Sequence, residues 1–270
     1  EIASCLVGSE MCIRDRGTIA GSVMGTYIGM LGGTDPAAKV LFATHLLSAS
    51  VMAVPGSIVL AKMLCPQTEE ATDHVAISGK EKENSNILDA ISSGTVTGVK
   101  LMTNIAAMLL VFISLVALAN YITEGVIGRY TGLNDWIVKI TDGKAQGLTF
   151  QFILGVITSP FMWLIGVPSQ DIMLVGSLLG QKTILNEFVA YFQLQQWKDA
   201  GLFMYEKSIL MSTYILCGFA NISSIGILLG GLGVLAPEKR GLISRIGVPA
   251  MIGGALVSVL SATIIGMILG

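Results

Sequence analysis

Long apolar runs are the feature that most constrains the fold of this chain. Residues 40–64 and 99–119 are each long enough to cross a bilayer as a helix, since crossing needs about 20 mostly apolar residues. The runs do not alternate between apolar and polar positions, as the strands of a membrane barrel do. The sequence therefore predicts an integral membrane protein built from helices.

The composition agrees with this prediction and excludes several classes of function. Of 270 residues, 53% are hydrophobic and 13% charged, and the mean hydropathy is +0.74, whereas soluble domains carry about 25% charged residues. A net charge of −2 without a basic stripe argues against nucleic acid as a partner. The four scattered cysteines and two histidines predict no disulfide framework, metal cage or organic cofactor.

The first residues differ from the rest of the chain. The composition changes to the membrane type at Gly17, and the preceding "CLVGSEMCIRDR" looks like translated read-through of a sequencing adapter. We interpret residues 1–16 as a non-native segment and residues 17–270 as the C-terminal portion of a longer membrane domain. A short native polar terminus is the alternative.

Two later stretches predict interruptions of the membrane helices. Residues 171–180 and 184–194 are apolar but too short to cross, and only "QKT" separates them, so a re-entrant hairpin is predicted at about 171–194. Such a hairpin must be buried in protein or line a watery cavity. Residues 208–235 carry the polar "CGFANISS" in their middle, which predicts a broken helix.

The arrangement of these segments predicts a transporter architecture. "GTIAGSVMGTYIGMLGG" and "GFANISSIGILLGGLG" share a small, polar start and a glycine-rich apolar end, an echo typical of inverted repeats around a midplane site. The predicted fold is an all-α integral membrane, polytopic bundle with a re-entrant helical hairpin, broken helices and inverted-repeat transporter architecture.

Glu187 is the first candidate functional residue, because it lies within the apolar hairpin. A charged group at the bilayer centre costs about 2.5–3.5 kcal/mol on insertion scales. One interpretation is that its carboxylate faces an aqueous pocket and binds a polar substrate. The other is that it pairs with Lys182 at the hairpin turn or lies at a solvated edge.

Asn221, Ser224 and Phe219 form a second candidate group. Asn221 and Ser224 are three residues apart, share a helical face, and offer donors and acceptors suited to hydroxyls or amides. Phe219 is placed to stack on a flat ring. The alternative is that Asn221 and Ser224 join helices to each other, as such residues do in membrane bundles.

Four segments of the chain resemble the concentrative nucleoside transporter family: "TIAGSVMGTYIGM", "HLLSASVMAVPGSIVLAKML", "LVGSLLGQKTILNEFVAYFQL" and "CGFANISSIGILLGGLGVLAPEKR". They occur in the family's order, and "NEFVAY" with "GFANISSIGI" is specific. The resemblance implies import of a nucleoside by symport with a cation, sodium or proton. It also implies a multi-pass protein of the inner (plasma) membrane that is embedded in the lipid bilayer as a homotrimer.

The resemblance also assigns roles to single residues. Glu187, Asn221 and Ser224 match positions that bind the ribose, and Phe219 and Val23 match positions that line the same pocket. Thr18 and Ile19 match positions whose oxygens help to hold sodium; spacing alone favours a small-residue packing face there.

The chain departs from the family in one respect. The family's first re-entrant hairpin, with a Gln-Thr-Glu signature at the base, lies upstream of the "TIAGSV" segment, and nothing before Gly17 matches it. Gln67-Thr68-Glu69 lies in a charged loop and is not assigned to that site. We therefore expect an incomplete transporter fragment that does not transport by itself.

Two other functions were weighed. A membrane-embedded enzyme would need a Ser/His or paired-Asp constellation, but His45 is the only histidine in an apolar run, and no second deep acid accompanies Glu187. A structural or channel-type bundle does not explain the short hairpin or its polar residues. The sequence thus predicts a transporter and not an enzyme.

Overall fold

The chain is helical in a computed structural model. The structure describes residues 13, 17–19, 21–64, 86–141, 143, 145–222, 224–225 and 240–270. All regular elements within these ranges are helices, so the predicted all-α class is confirmed. The interpretation of residues 1–16 as non-native falls, apart from Ile13, outside the described residues.

The described helices follow one another in a simple order. They are α1 Gly21–Gly32, α2 Pro36–Leu64, α3 Ile87–Asn120, α4 Leu133–Ile140, α5 Phe150–Leu164, α6 Ile172–Ile184, α7 Glu187–Asp199, α8 Glu206–Leu216 and α9 Arg240–Ile268. A π-helical segment, Tyr121–Gly128, and one α-helical turn, Arg129–Thr131, connect α3 to α4.

Two of the described helices have the length and apolar character of membrane spans. They are Pro36–Leu64, which is α2, and Arg245–Ile268 within α9. Large apolar side chains on α2 point away from the protein; Val51 is 64% and Met63 70% exposed. Such side chains are unfavourable in water and suit a lipid environment.

The hairpin consists of α6 and α7, joined by Leu185 and Asn186. The prediction of a turn at "QKT" is wrong, because residues 181–183 still belong to α6. Asn186 is extended, and its side-chain Oδ1 accepts a hydrogen bond of 2.9 Å from the backbone N–H of Val189. This is the geometry of a helix N-cap, and it sets the start of α7.

Close backbone packing fixes α6 against α5. A Cβ atom added at Gly180 would lie 2.5 Å from Leu154 Cβ, and one at Gly176 would lie 2.6 Å from Thr158 Oγ1. Small residues of this kind let membrane helices approach closely. The first arm of the hairpin is therefore held in a fixed register on α5.

Two short stretches, before α1 and after α8, are non-helical, and the second is the predicted break within residues 208–235. Thr18 and Ile19 are non-helical just before α1. At the end of α8, Cys217 is extended with ψ 94°, and Gly218 has φ +148°, where a side chain would be strained. The chain turns helical again at Ile222.

One buried cluster joins these elements. Its core residues come from α1, α2, the hairpin and α8, and are Tyr27, Leu31, Phe42, Leu46, Leu178, Ala190, Tyr191, Leu194 and Leu216. Ile19 and Val23 pack against its edge. The cluster packs the hairpin against α1 and α8.

Candidate functional site

Glu187 is the first residue of α7 and is buried, with 4% of its surface exposed. The Asn186 cap begins the helix one residue earlier, so the Glu187 carboxylate lies at the N-terminal end of α7. Unpaired backbone N–H groups and the helix dipole favour a negative charge there. The local sequence "NEF" thus both places and stabilises the acid.

Asn221 meets Glu187 directly. Its side-chain Nδ2 donates a hydrogen bond of 2.7 Å to Glu187 Oε2, and both side chains are buried. A hydrogen bond to a charged group is stronger than a neutral one. The structure therefore joins the hairpin and the broken helix through two residues that the sequence singled out separately.

Ser224 is tied to Asn221 by two further contacts. The Ser224 backbone N–H donates to Asn221 Oδ1, and Ser224 Oγ donates to the Asn221 backbone carbonyl oxygen, each at 2.7 Å. The first contact has the form of a helix cap, in which a side-chain oxygen accepts from an N–H three residues later. Asn221 is thereby locked with its amide nitrogen toward Glu187.

Lys182 does not form the pair with Glu187 that the alternative interpretation required. Its Nζ donates to the Ile215 carbonyl oxygen at 2.7 Å and to Ser258 Oγ at 3.1 Å. The two charges still attract each other through the buried region. Neither form of the alternative interpretation of Glu187 fits the described residues. Lys182 makes no direct contact with Glu187, and a solvated edge does not agree with the burial of Glu187.

Val23 and Phe219 occupy less central positions. Val23 is half-buried on α1 and packs against the cluster that contains Tyr191 of the hairpin. Phe219 is half-buried in the break between Gly218 and Asn221. Both residues therefore lie on elements that carry or contact the Glu187 site.

Sequence reasoning missed an aromatic group beside Glu187. Tyr27 of α1 stacks on Tyr191, with ring centroids 4.1 Å apart, and lies 6.4 Å from the Phe188 ring. The Tyr191 hydroxyl donates to the Thr213 carbonyl oxygen at 2.8 Å. The signal was present, because Phe188 and Tyr191 belong to "NEFVAY" and Tyr27 lies one helical turn after Val23.

Thr18 and Ile19 lie in the non-helical segment before α1. Ile19 packs against the cluster that contains Tyr27 and against a second buried cluster, which contains Tyr214 and Ile215. Interrupted helices free backbone carbonyl groups that can coordinate a small cation. Among the described residues, no cluster of three or more histidine, cysteine, aspartate or glutamate side chains suits a metal ion. A cation here would depend on carbonyl and hydroxyl oxygens.

His45 was the candidate for an enzymatic site. Its Nδ1 lies 3.1 Å from the Tyr214 hydroxyl oxygen, and the two rings meet edge to face. Neither group contacts Glu187 in the described part of the chain. The histidine thus belongs to the packing of α2 on α8.

Glu187 provides a buried hydrogen-bond acceptor at this site. A carboxylate accepts several hydrogen bonds and donates none, and its Oε2 accepts from Asn221. A short hairpin, a broken helix and a buried acid within an all-α fold are features typical of membrane transporters.

Comparison with known proteins then specifies the family. The model of the family described as "Na+ dependent nucleoside transporter C-terminus" matches residues 45–266. The chain belongs to this nucleoside transporter family, and the matched part is the family's C-terminal region.

Individual proteins agree with the family match. An uncharacterised transporter from Haemophilus influenzae is 39% identical over 94% of this chain and 56% of its own length. The sodium/nucleoside cotransporter 1 of Rattus norvegicus is 37% identical over 93% of this chain and 38% of its own. CNTnw in an inward-facing substrate-bound state is similar with a TM-score of 0.75 and 34% identity over 96% of this chain and 56% of its own.

These values also describe the extent of the match. The chain spans about half the length of the Haemophilus relative and of CNTnw, and less of the rat protein.

Proposed function

We propose that this chain is the C-terminal portion, residues 17–270, of a secondary active transporter that imports nucleosides by symport with a cation. The observation that carries the proposal is the 2.7 Å hydrogen bond between Asn221 and Glu187, made where the hairpin meets the interrupted helix. The family description and the name of the rat relative support the substrate class. The inner (plasma) membrane is the proposed location.

In this proposal Glu187 accepts hydrogen bonds from the ribose hydroxyls. Asn221 orients the carboxylate and, with Ser224, offers further polar contacts. Phe219 and Val23 line the same pocket. The carboxylate suits this role because charge-assisted hydrogen bonds are the strong ones, and because it can accept from both hydroxyls at once.

The coupling ion is proposed to bind at the interruption before α1, with Thr18 and Ile19 supplying oxygen atoms. Sodium is favoured by the family description, "Na+ dependent", and the proton is the other outcome of the test. The lipid bilayer and two further copies of the chain, in a homotrimer, complete the proposed assembly.

The proposal is tested by a transport assay in which the chain is joined to the part of CNTnw that it does not span. We define the complete transporter as residues 17–270 joined to the upstream half of CNTnw. Uptake of radiolabelled uridine and adenosine is measured in a host deficient in nucleoside transport, with and without sodium. Parental CNTnw is the control for expression and assay.

The decisive variant is Glu187→Gln. It removes the charge and keeps the shape, so uptake is expected to fall by at least about tenfold. Glu206→Gln is the matched control, because Glu206 also begins a helix but is exposed. Uptake that survives Glu187→Gln would contradict the proposed ribose ligand, and sodium-independent uptake would exclude sodium coupling.

A further inference from the structure

Lys182 is a fully buried cation that has no part in the substrate contacts proposed above. It lies in the last turn of α6 with 0% of its surface exposed. Lysine is almost never fully buried unless it is paired, and an unpaired ammonium inside protein is very unfavourable. The position of its partners therefore shows what its charge stabilises.

These partners lie at the C-terminal end of α8. Lys182 Nζ donates to the Ile215 carbonyl oxygen directly, at 2.7 Å. It also contacts Ser258 Oγ of α9, and that hydroxyl lies 2.7 Å from the Cys217 carbonyl oxygen, to which it donates. A positive charge at a helix C-terminus is stabilised by the helix dipole and by the unpaired carbonyl groups. Lys182 thus holds the carbonyl groups at which α8 breaks.

The second arm of the hairpin carries a similar contact. Lys198, in the last turn of α7, donates to the carbonyl oxygen of Leu31 near the C-terminus of α1. Each arm of the hairpin therefore supplies one lysine to the C-terminal end of one helix, α8 at its break and α1 at the end away from Thr18. The repetition indicates that the hairpin is the element that sets the positions of both helices.

The break itself is held at two points by the hairpin. Lys182 holds its start at Ile215, and Glu187, five residues later in the chain, holds its end at Asn221. Between these contacts the Cys217 N–H still donates to the Thr213 and Tyr214 carbonyl oxygens, but Cys217 is extended and Gly218 has a positive φ, so the helix ends there. Without the first contact, the second is less restrained.

We propose that Lys182 is a positioning residue for nucleoside binding, which fixes the α8 break so that Asn221 and Glu187 meet in the geometry that selects a ribose. This inference rests on the proposed function. It predicts that loss of the Lys182 charge reduces the discrimination between a ribonucleoside and its deoxy analogues. A residue needed only for folding would weaken the binding of all these ligands alike.

The test measures dissociation constants of the purified complete transporter for uridine, 2′-deoxyuridine and 3′-deoxyuridine. Lys182→Met is expected to weaken uridine binding by about tenfold and to weaken binding of the deoxy analogues much less. The ratio of the dissociation constant for a deoxy analogue to that for uridine, which measures the discrimination, then approaches the ratio in Glu187→Gln. Lys182→Arg, which keeps the charge, is expected to retain more of the ratio.

Lys207→Met is the matched control, because Lys207 Nζ also donates to a carbonyl oxygen at a helix end, that of Gly270, but at the surface. It should leave all three constants unchanged. Ser258→Ala removes the contact to Cys217 without removing a charge and gives the same measurement if Lys182→Met does not fold. Ser258→Ala is expected to reduce the discrimination between uridine and its deoxy analogues less than Lys182→Met does.

The outcomes separate the two proposals. Equal weakening of all three ligands in Lys182→Met, or in Ser258→Ala where Lys182→Met does not fold, would overturn the positioning role and leave the nucleoside site intact. Unchanged constants in these variants would do the same. Failure of the unmodified complete transporter to bind any of the three nucleosides would overturn the proposed function itself.

Discussion

At the scale of single residues, the site depends on a buried acid and the amide that faces it. Asn221→Ala removes the Nδ2 donor from Glu187 and the Oδ1 acceptor from Ser224. We expect a loss of about 2–4 kcal/mol in unfolding free energy, since a buried group left without its partner costs about 1–3 kcal/mol, and more if charged.

A double-mutant cycle isolates the contact between the two side chains. Thermal unfolding of Asn221→Ala, Glu187→Gln and the double variant is measured in detergent without nucleoside. The effects should not add, because both variants alter the same hydrogen bond. Additive effects would show that the charge of Glu187 adds nothing to the 2.7 Å contact, because glutamine keeps an oxygen that can accept from Asn221.

The stacked tyrosines offer a second prediction at this scale. Tyr27 and Tyr191 are both fully buried, but the Tyr27 hydroxyl has no hydrogen-bond partner in the described part of the protein, whereas Tyr191 donates to the Thr213 carbonyl oxygen. Tyr27→Phe should therefore raise the unfolding free energy of the ligand-free protein by up to about 1 kcal/mol, and Tyr191→Phe should lower it by about 1 kcal/mol.

The two variants act as controls for each other, because each keeps an aromatic ring in the same stack. Thermal unfolding without nucleoside gives both values. A loss of stability in Tyr27→Phe would mean that its hydroxyl is hydrogen-bonded in the membrane-embedded protein.

The sequence predicted the key residues better than their contacts. Glu187 and Asn221 were singled out because polar groups in apolar segments need partners, and the structure makes them partners of each other. One alternative for Glu187 paired it with Lys182, the nearest opposite charge along the chain. Lys182 instead reaches α8 and α9, since contacts between distant elements cannot be derived from spacing within one helix.

At the scale of elements, the hairpin shows where local patterns mislead. The polar "QKT" predicted a turn, but the Gln181 side chain donates to Ser177 Oγ within α6, and Lys182 donates to Ile215 of α8 and Ser258 of α9. Polar residues inside a membrane hairpin therefore do not by themselves mark its turn. Asn186 does mark it, because an N-cap residue starts a helix by a local hydrogen bond.

The glycines of the hairpin give a prediction for the same element. Gly180→Ala would place a Cβ atom 2.5 Å from Leu154 Cβ, and neither backbone can yield without moving α6 on α5. We expect the unfolding free energy to fall by about 1–3 kcal/mol from overpacking.

Gly98→Ala on α3 is the control for helix propensity, because nothing lies within 4 Å of its added Cβ atom. It should stabilise by up to about 1 kcal/mol, since alanine favours the helix over glycine. Both variants are compared by thermal unfolding in the same detergent. Equal effects in the two would contradict close packing at Gly180.

At the scale of the whole molecule, the apolar run 40–64 coincides with α2, one of the two described helices long and apolar enough to span a membrane. The apolar runs did not predict the polar part of the surface. An open groove of about 870 Å³ lies beside the hairpin and is lined by apolar side chains and by polar ones that include Gln151, Gln170, Gln193 and Gln196. Polar groups at membrane depth need protein or water as partners. The chain also spans only about half of the Haemophilus relative and of CNTnw, which is why its sequence alone could not define the whole pocket.

The last prediction follows from this surface and concerns transport by the chain itself. Residues 17–270 alone should give no nucleoside uptake, whereas the complete transporter should give uptake, because the resemblance to concentrative nucleoside transporters implies that an upstream hairpin supplies the side of the pocket that faces the base. Membrane insertion of both is verified by labelling of an added tag, so that a negative result reflects the site. Uptake by residues 17–270 alone would mean that Glu187, Asn221 and the interrupted helices suffice for transport, and that the expected contribution of an upstream hairpin is wrong.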